Sequence, residues 1–218
     1  MTTTLPRSGA ETAASPTASA AVESADPLEA VAEKLRANNI EAIVVDTRDE
    51  ARDLVIGMVP EGAEVHSGKS KTIEDLGLFK VFMESGKYDA IRPKLYAMDR
   101  ATQGREMRKL GAVPDYELGS VAAITEDGAL VVASATGNQI AAYAGGAGRV
   151  ILVVGSQKLV KDLDAALARI RDVAFPYENV QVRARMGVDT KLEKLLVMYG
   201  EWVEGRTTVV LVREPVGV

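Results

Sequence analysis

The chain has 218 residues, of which 47% are hydrophobic and 26% charged, and its net charge at pH 7 is −5. This length predicts one domain with a sizeable core, and the lack of cysteine excludes disulfides, thiolate-bound iron–sulfur clusters and Cys-type zinc sites held by this chain alone. Because there is one histidine, no basic stripe and no apolar run of membrane-spanning length, we expect a cytoplasmic protein without metal, nucleic acid or membrane partners.

Residues 1–25 consist mostly of Thr, Ser, Ala, Pro and Glu. Such a segment buries too little apolar surface to offset the entropy of ordering it, so we predict a disordered leader and a folded domain over 26–218. A transit peptide is the alternative, but Arg7 is the only base in the segment. Asp26-Pro27 is then typical of the N-cap and first residue of a helix.

The next segments alternate between strand and helix patterns. Residues 40–45 form a continuous apolar run that predicts a strand buried on both faces, and Thr47 with Glu50 predicts a capping box. A short strand is expected over 63–66, followed by a loop and a helix with Thr72 as the candidate cap. A surface helix is predicted over 95–110.

A hairpin is the strongest local signal in the chain. Two apolar runs, 121–124 and 129–133, flank a Thr-Glu-Asp-Gly tetrapeptide, and Asp-Gly between such runs predicts a tight β-turn. The turn does not require Glu126, which is therefore the candidate general base, with Asp127 and Gly128 beside it in the same site. The alternative is that these acidic residues serve the turn alone.

The second run ends in small and hydroxyl-bearing residues that suit a strand-to-helix turn. Exposed backbone N–H groups in such a turn attract anions. The candidate ligand-binding residues there are Thr136, Gly137 and Asn138.

The remaining pattern predicts an α/β fold. The expected elements are a helix over 139–143, a flexible glycine joint over 145–148, a doubly buried strand over 149–154, an amphipathic helix over 159–173, a helix over 191–199 and a closing strand over 207–212. This alternation predicts a layered, Rossmann-like arrangement with a mainly parallel sheet and one antiparallel hairpin.

A lysine-rich loop precedes the third predicted helix. It follows a strand and opens a helix, so its N–H groups, hydroxyls and lysines are candidates for binding phosphate or carboxylate. These residues are Gly68, Lys69, Ser70, Lys71 and Thr72. The loop is not a Walker A motif, because five residues rather than four separate Gly62 from Gly68. The alternative is a solvated loop whose lysines face water.

Two further residues are candidates for the same chemistry. Lys158 follows the strand over 149–154, at the sheet edge where ligands of open α/β sheets bind, and could neutralise an anion. Alternatively, Ser156 caps the next helix and Lys158 is exposed. His66 could act as a base beside the lysine-rich loop, although a lone histidine ending a strand is more often structural.

Three stretches of the sequence resemble the LUD-domain family, the lactate-utilization proteins of LutC type, and especially its compact single-domain members. They are 67–78, 123–131 with Gly137-Asn138, and 154–163. The resemblance implies the layered α/β fold shared by ribose-5-phosphate isomerase, glucosamine-6-phosphate deaminase and CoA transferases. It also implies that the lysine-rich loop, the acidic hairpin and Lys158 line one cleft.

The resemblance also implies a role beside iron–sulfur and flavin-type partners in the oxidation of L-lactate to pyruvate. Many compact relatives carry a cysteine-rich segment before the last strand, whereas residues 183–205 contain none, so redox chemistry is expected in a partner. The first hypothesis is a non-redox component that binds a small anionic metabolite. The alternatives are a sugar-phosphate isomerase or acyl-CoA-type enzyme with Glu126 as base, and a ligand-sensing module without catalysis. Apolar helix faces would permit a homodimer.

Overall fold

The computed structural model describes residues 26–218, so the leader predicted over 1–25 lies outside the described residues. The helices are α1 (Pro27–Ala37), α2 (Arg48–Met58), α3 (Lys71–Asp75), α4 (Leu78–Glu84), α5 (Ile91–Ala97), α6 (Gly104–Ala112), α7 (Asn138–Ala141), α8 (Leu163–Arg169) and α9 (Phe175–Met186). The strands are β1 (Glu41–Val45), β2 (Glu64–Ser67), β3 (Asp89–Ala90), β4 (Tyr116–Gly119), β5 (Ala123–Thr125), β6 (Leu130–Ser134), β7 (Arg149–Gly155), β8 (Leu159–Val160), β9 (Lys194–Met198) and β10 (Thr207–Val212). Within 26–218, every helix is too short or too polar to cross a bilayer.

Six strands form a parallel sheet in the order β1-β10-β7-β4-β2-β3. The last strand, β10, lies between β1 and β7, and its Val209 is opposite Ala42 on one side and Leu152 on the other. Every residue of β10 is buried. The predicted α/β class and the mainly parallel sheet are therefore confirmed.

Apolar side chains cover both faces of this sheet. Along β7, Val150, Leu152 and Val154 join the cluster that includes α1, while Ile151 and Val153 join the cluster that includes α2 and α4. The double burial predicted for residues 149–154 is confirmed from Val150 onward, since Arg149 is exposed. The same prediction is wrong for β1, which lies at the sheet edge and is only partly buried.

A second sheet contains the predicted hairpin, in the order β8-β5-β6-β9. Strands β5 and β6 are antiparallel, with Ile124 opposite Leu130, and Gly128 adopts a φ of +90° in the turn. The helix predicted over 191–199 is wrong, because residues 194–198 pair with β6 as the antiparallel strand β9. Long-range pairing here overrides a local helical pattern.

Two of the three predicted helix N-caps are confirmed. Asp26 accepts a hydrogen bond from the Leu28 N–H at 3.0 Å, and the capping box of Thr47 with Glu50 is complete. The cap predicted at Thr72 is wrong: Ser70 caps α3, and Thr72 is buried inside it.

Two predicted helices are divided differently. The helix expected over 95–110 is two helices, α5 and α6, because the Asp99 side chain and the Gln103 side chain hold a turn between them. The helix expected over 159–173 begins only at Leu163, capped by Asp162, since residues 159–160 pair with β5 as strand β8. Helix α9 had no counterpart among the predicted elements.

The glycine-rich segment predicted as a flexible joint is closely packed. Residues 142–146 form a π-helical turn that continues α7. A Cβ at Gly146 would lie 1.8 Å from the carbonyl oxygen of Ala112, and one at Gly148 would lie 3.0 Å from that of Asp115. Because these glycines lack side chains, the chain packs closely against the end of α6 and the loop before β4. The prediction of a flexible joint over 145–148 is therefore wrong.

Substituting Gly146 tests this packing. We expect Gly146→Ala to lower the free energy of unfolding by about 1–3 kcal/mol, because the added methyl group meets backbone that cannot move freely. Gly57→Ala is the control: Gly57 lies in α2 with no atom within 4 Å of its Cβ position, so higher helix propensity should stabilise by about 0.5–1 kcal/mol. Urea denaturation of both variants measures this, and equal stability of the two would contradict the packing argument.

Candidate functional site

A cleft of about 630 Å³ lies at the carboxyl ends of β2, β4 and β7, the edge where open α/β sheets bind ligands. One wall consists of the segments that leave these three strands and the end of β6. The other wall consists of the turn over 170–174, helix α9 and the loop over 188–193. The cleft therefore lies between the parallel sheet and the α9 region.

Lys158 lies at the floor of the cleft and is only 2% exposed. Its Nζ donates to Thr72 Oγ1 and Ser120 Oγ, both at 2.9 Å, and to the carbonyl oxygen of Val121 at 3.2 Å. No carboxylate within residues 26–218 forms an ion pair with it. The expectation that Lys158 lies in the cleft agrees with this position, and the alternative of a solvent-exposed lysine is wrong.

Burial lowers the pKa of Lys158 to about 7, because the ammonium form loses its hydration. The nearby guanidinium of Arg169 lowers the pKa further, and Asp75 opposes the shift. Arg169 is anchored by donating to the carbonyl oxygens of Gln157 and Ala122, one residue away from Lys158 and Val121. Lys158 and Arg169 are therefore held by the same two segments, residues 157–158 and residues 121–122.

The lysine-rich loop forms part of the same floor, and all five of its candidate residues line the cleft. Lys69 is half-buried and makes no ion pair within residues 26–218, whereas Lys71 pairs with Asp75 one helical turn away. Ser70 caps α3 and Thr72 contacts Lys158. Among the described residues, only Lys69 of this loop's two lysines lacks a carboxylate partner.

The hairpin turn lies outside the cleft. Glu126 and Asp127 are exposed and absent from the cleft lining, and Gly128 packs against Lys34 of α1. The Glu126 N–H donates to the carbonyl oxygen of Val160 at 2.9 Å, which fixes the turn to β8. The expectation that the acidic hairpin joins the lysines in one cleft is therefore corrected.

The turn after β6 lies in the cleft. Thr136 and Asn138 line it, and Gly137 between them has a φ of +78°. The Gly137 N–H donates to Ser134 Oγ at 2.8 Å. This N–H is consequently already occupied by a protein acceptor.

A buried histidine–glutamate pair lies beside the cleft; its His66 was named in the sequence analysis, whereas its Glu117 was missed. Glu117 of β4 is fully buried, and its Oε2 lies 2.6 Å from Nδ1 of His66 on β2. Burial raises the pKa of Glu117, and the hydrogen bond with His66 acts in the opposite direction. Its Oε1 has no hydrogen-bond partner among the described residues.

Tyr143 is buried and lies within reach of the charge of Glu117. Its ring lines the cleft, and a Cβ at Gly119 would lie 1.7 Å from the Tyr143 Oη. Burial, and then the charge of Glu117, raise the pKa of Tyr143 well above its usual range. Gly119, at the end of β4, leaves room for this ring. Its presence there is the sequence signal that could have indicated the close packing.

The comparisons with known proteins agree with this architecture. The family model described as LUD domain matches residues 28–193. A crystal structure of a DUF162 family protein from Deinococcus radiodurans has a TM-score of 0.52 with this chain at 15% identity, and the match covers 85% of this chain and 95% of that one. At this identity the likeness concerns the fold. Comparison with curated proteins gives no match.

The lowered pKa of Lys158 makes stability depend on pH. Native Lys158 releases its proton near pH 7, whereas the unfolded chain holds it to about 10.5, so the unfolded state binds more protons between these values and the free energy of unfolding rises with pH there. Lys158→Met removes this contribution. We expect the stability of the wild type relative to this variant to rise by several kcal/mol from pH 7 to 10.

Urea denaturation at a series of pH values measures the difference. Lys161→Met is the matched control, because Lys161 is exposed and outside the cleft lining, and its profile should follow that of the wild type. Parallel profiles for wild type and Lys158→Met would contradict the shift.

Proposed function

The chain belongs to the LUD domain family, and from this premise we propose that its cleft binds a small anionic metabolite as a non-redox component of lactate utilization. Family membership supports an association with lactate utilization. The observation that carries the anion-binding proposal is the excess of unpaired cations in the cleft lining.

The charges of the lining divide into paired and unpaired groups. Lys71 is paired with Asp75, Arg185 with Glu178, and Asp189 with Arg183. Among the described residues, Lys69, Lys158 and Lys191 make no ion pair, and Glu193 is the one acidic side chain of the lining without a base. Lys69 and Lys191, together with the protonated fraction of Lys158, outnumber this one acidic side chain and favour an anionic ligand.

Neutral donors line the same cleft. The hydroxyl groups of Ser70 and Thr72 accept hydrogen bonds from the Ile73 N–H and from Lys158 Nζ, and neither donates to an acceptor among the described residues, so their protons can reach a carboxylate or phosphate oxygen. An anion in a partly enclosed cleft interacts with such donors more strongly than in water. Charge and donors together suit a 2-hydroxy acid, a 2-oxo acid or a phosphate ester.

The non-redox part of the proposal follows from composition. The sequence has no cysteine, so thiolate ligands for an iron–sulfur cluster would come from a partner protein. The isomerase or acyl-CoA alternative used Glu126 as base, and that carboxylate lies outside the cleft lining. The geometry therefore supports a lysine-centred site.

Lys69 provides the first test. We expect Lys69→Ala to weaken binding of pyruvate, L-lactate or inorganic phosphate about tenfold or more. The reason is that a hydrogen bond between a charged lysine and the anion contributes about 1.5–3 kcal/mol to the binding free energy. Isothermal titration calorimetry at pH 7 measures the affinity of each compound.

Lys109→Ala is the matched control, since Lys109 is exposed on α6 and outside the cleft lining. It should bind like the wild type. The proposal fails if none of the three anions binds to the wild type, or if the Lys69 and Lys109 variants bind with equal affinity.

A further inference from the structure

Lys158 has the surroundings of a reactive amine rather than those of a lysine that only neutralises a bound anion. A lysine that only neutralises an anion keeps its ammonium group in contact with water or with carboxylates. Lys158 is buried, makes no ion pair among the described residues and lies near the anchored guanidinium of Arg169. Desolvation and a neighbouring cation are the two conditions that activate a lysine amine as a nucleophile.

The hydrogen bonds around Nζ satisfy the neutral amine as well as the ammonium. The Val121 carbonyl can only accept, and Ser120 Oγ must also accept, because it donates its own proton to the Val153 carbonyl at 2.6 Å. The Thr72 hydroxyl can either accept or donate. A neutral Nζ therefore donates twice and receives the Thr72 proton, while a protonated Nζ donates three times.

We propose that Lys158 is the nucleophile that forms an imine with a small ketone bearing a carboxylate or phosphate group in this cleft. The inference rests on the proposed function, because the anionic group of the same ligand is held by Lys69 and the neighbouring donors. The ketone carbon then faces the floor, where Lys158 Nζ lies.

The reaction needs no oxidant or reductant. The Nζ lone pair forms a bond to the carbonyl carbon, and the carbonyl π bond breaks to give an alkoxide. A proton passes from the nitrogen to that oxygen to give a carbinolamine, and Thr72 is the hydroxyl placed to relay it. The hydroxyl group then leaves as water together with the remaining Nζ proton, which gives the imine, so amine and ketone yield imine and water.

Reductive trapping tests this step. The full chain is incubated with pyruvate or with dihydroxyacetone phosphate, reduced with cyanoborohydride and mapped by peptide mass spectrometry. We expect a stable adduct on Lys158 that is lost in Lys158→Met and kept in Lys161→Met. L-Lactate is the ligand control, since it carries the carboxylate but no carbonyl group and should leave no adduct.

The two ketones distinguish two classes of ligand. An adduct from pyruvate alone identifies a 2-oxo acid site, and one from dihydroxyacetone phosphate alone identifies a ketose phosphate site; both outcomes support the inference. The trapping rate should rise as the pH passes through about 7, because the free amine is the attacking form. An exposed lysine would react faster only toward pH 10.

Binding measured in parallel separates the two proposals. If calorimetry shows that a ketone binds but Lys158 carries no adduct, the imine inference is overturned and anion binding stands. Adducts confined to other lysines overturn it equally. If neither ketone binds and none is trapped, the proposed function and the inference that rests on it both fail.

Discussion

The burial of one lysine amine with only neutral partners is the constraint on which the cleft depends. Removing an ammonium group from water costs several kcal/mol unless its donors find acceptors. The acceptors of Lys158 come from separate segments: Thr72 in α3, and Ser120 and Val121 after β4. Lys158 itself follows β7, and α3 follows β2. The ends of three neighbouring strands must therefore keep their mutual register, because a shift of any one would leave this amine unsatisfied.

The fold follows from the sequence where the signal is local. Continuous apolar runs identify β7 and β10, and the Asp-Gly turn identifies the β5–β6 hairpin. The prediction fails where a distant partner decides the structure. Residues 194–198 become a strand because β6 offers them an edge, and β4 escaped prediction because Glu117 stands in its middle. That carboxyl group can be buried only because His66 of β2 lies opposite, which no local pattern reveals.

The candidate site divides in the same way. Lys69 and Lys158 follow strands of a parallel sheet, and the carboxyl ends of such strands meet at one edge, so their convergence follows from the topology. Glu126 belongs to a hairpin in a separate sheet, and its direction is set by packing of the turn against β8 and α1. The role of Tyr143 was missed because residues 145–148, which follow it, were predicted to form a flexible joint, so close packing was not expected there. The glycines in this segment allow close packing, and the missing side chain at Gly119 makes room for the tyrosine ring.

The position of β10 has a consequence for how the protein is made. During synthesis β1 emerges early, yet its partner in the sheet among residues 26–218 is β10, residues 207–212, which emerge about 160 residues later. Until then the backbone N–H and C=O groups of β1, and those of β7 on the side that β10 will occupy, stay unpaired. Open edges of this kind are templates for association with other chains. A translation product that stops before β10 therefore leaves two strands with unpaired backbone groups at once, which favours its association with other chains.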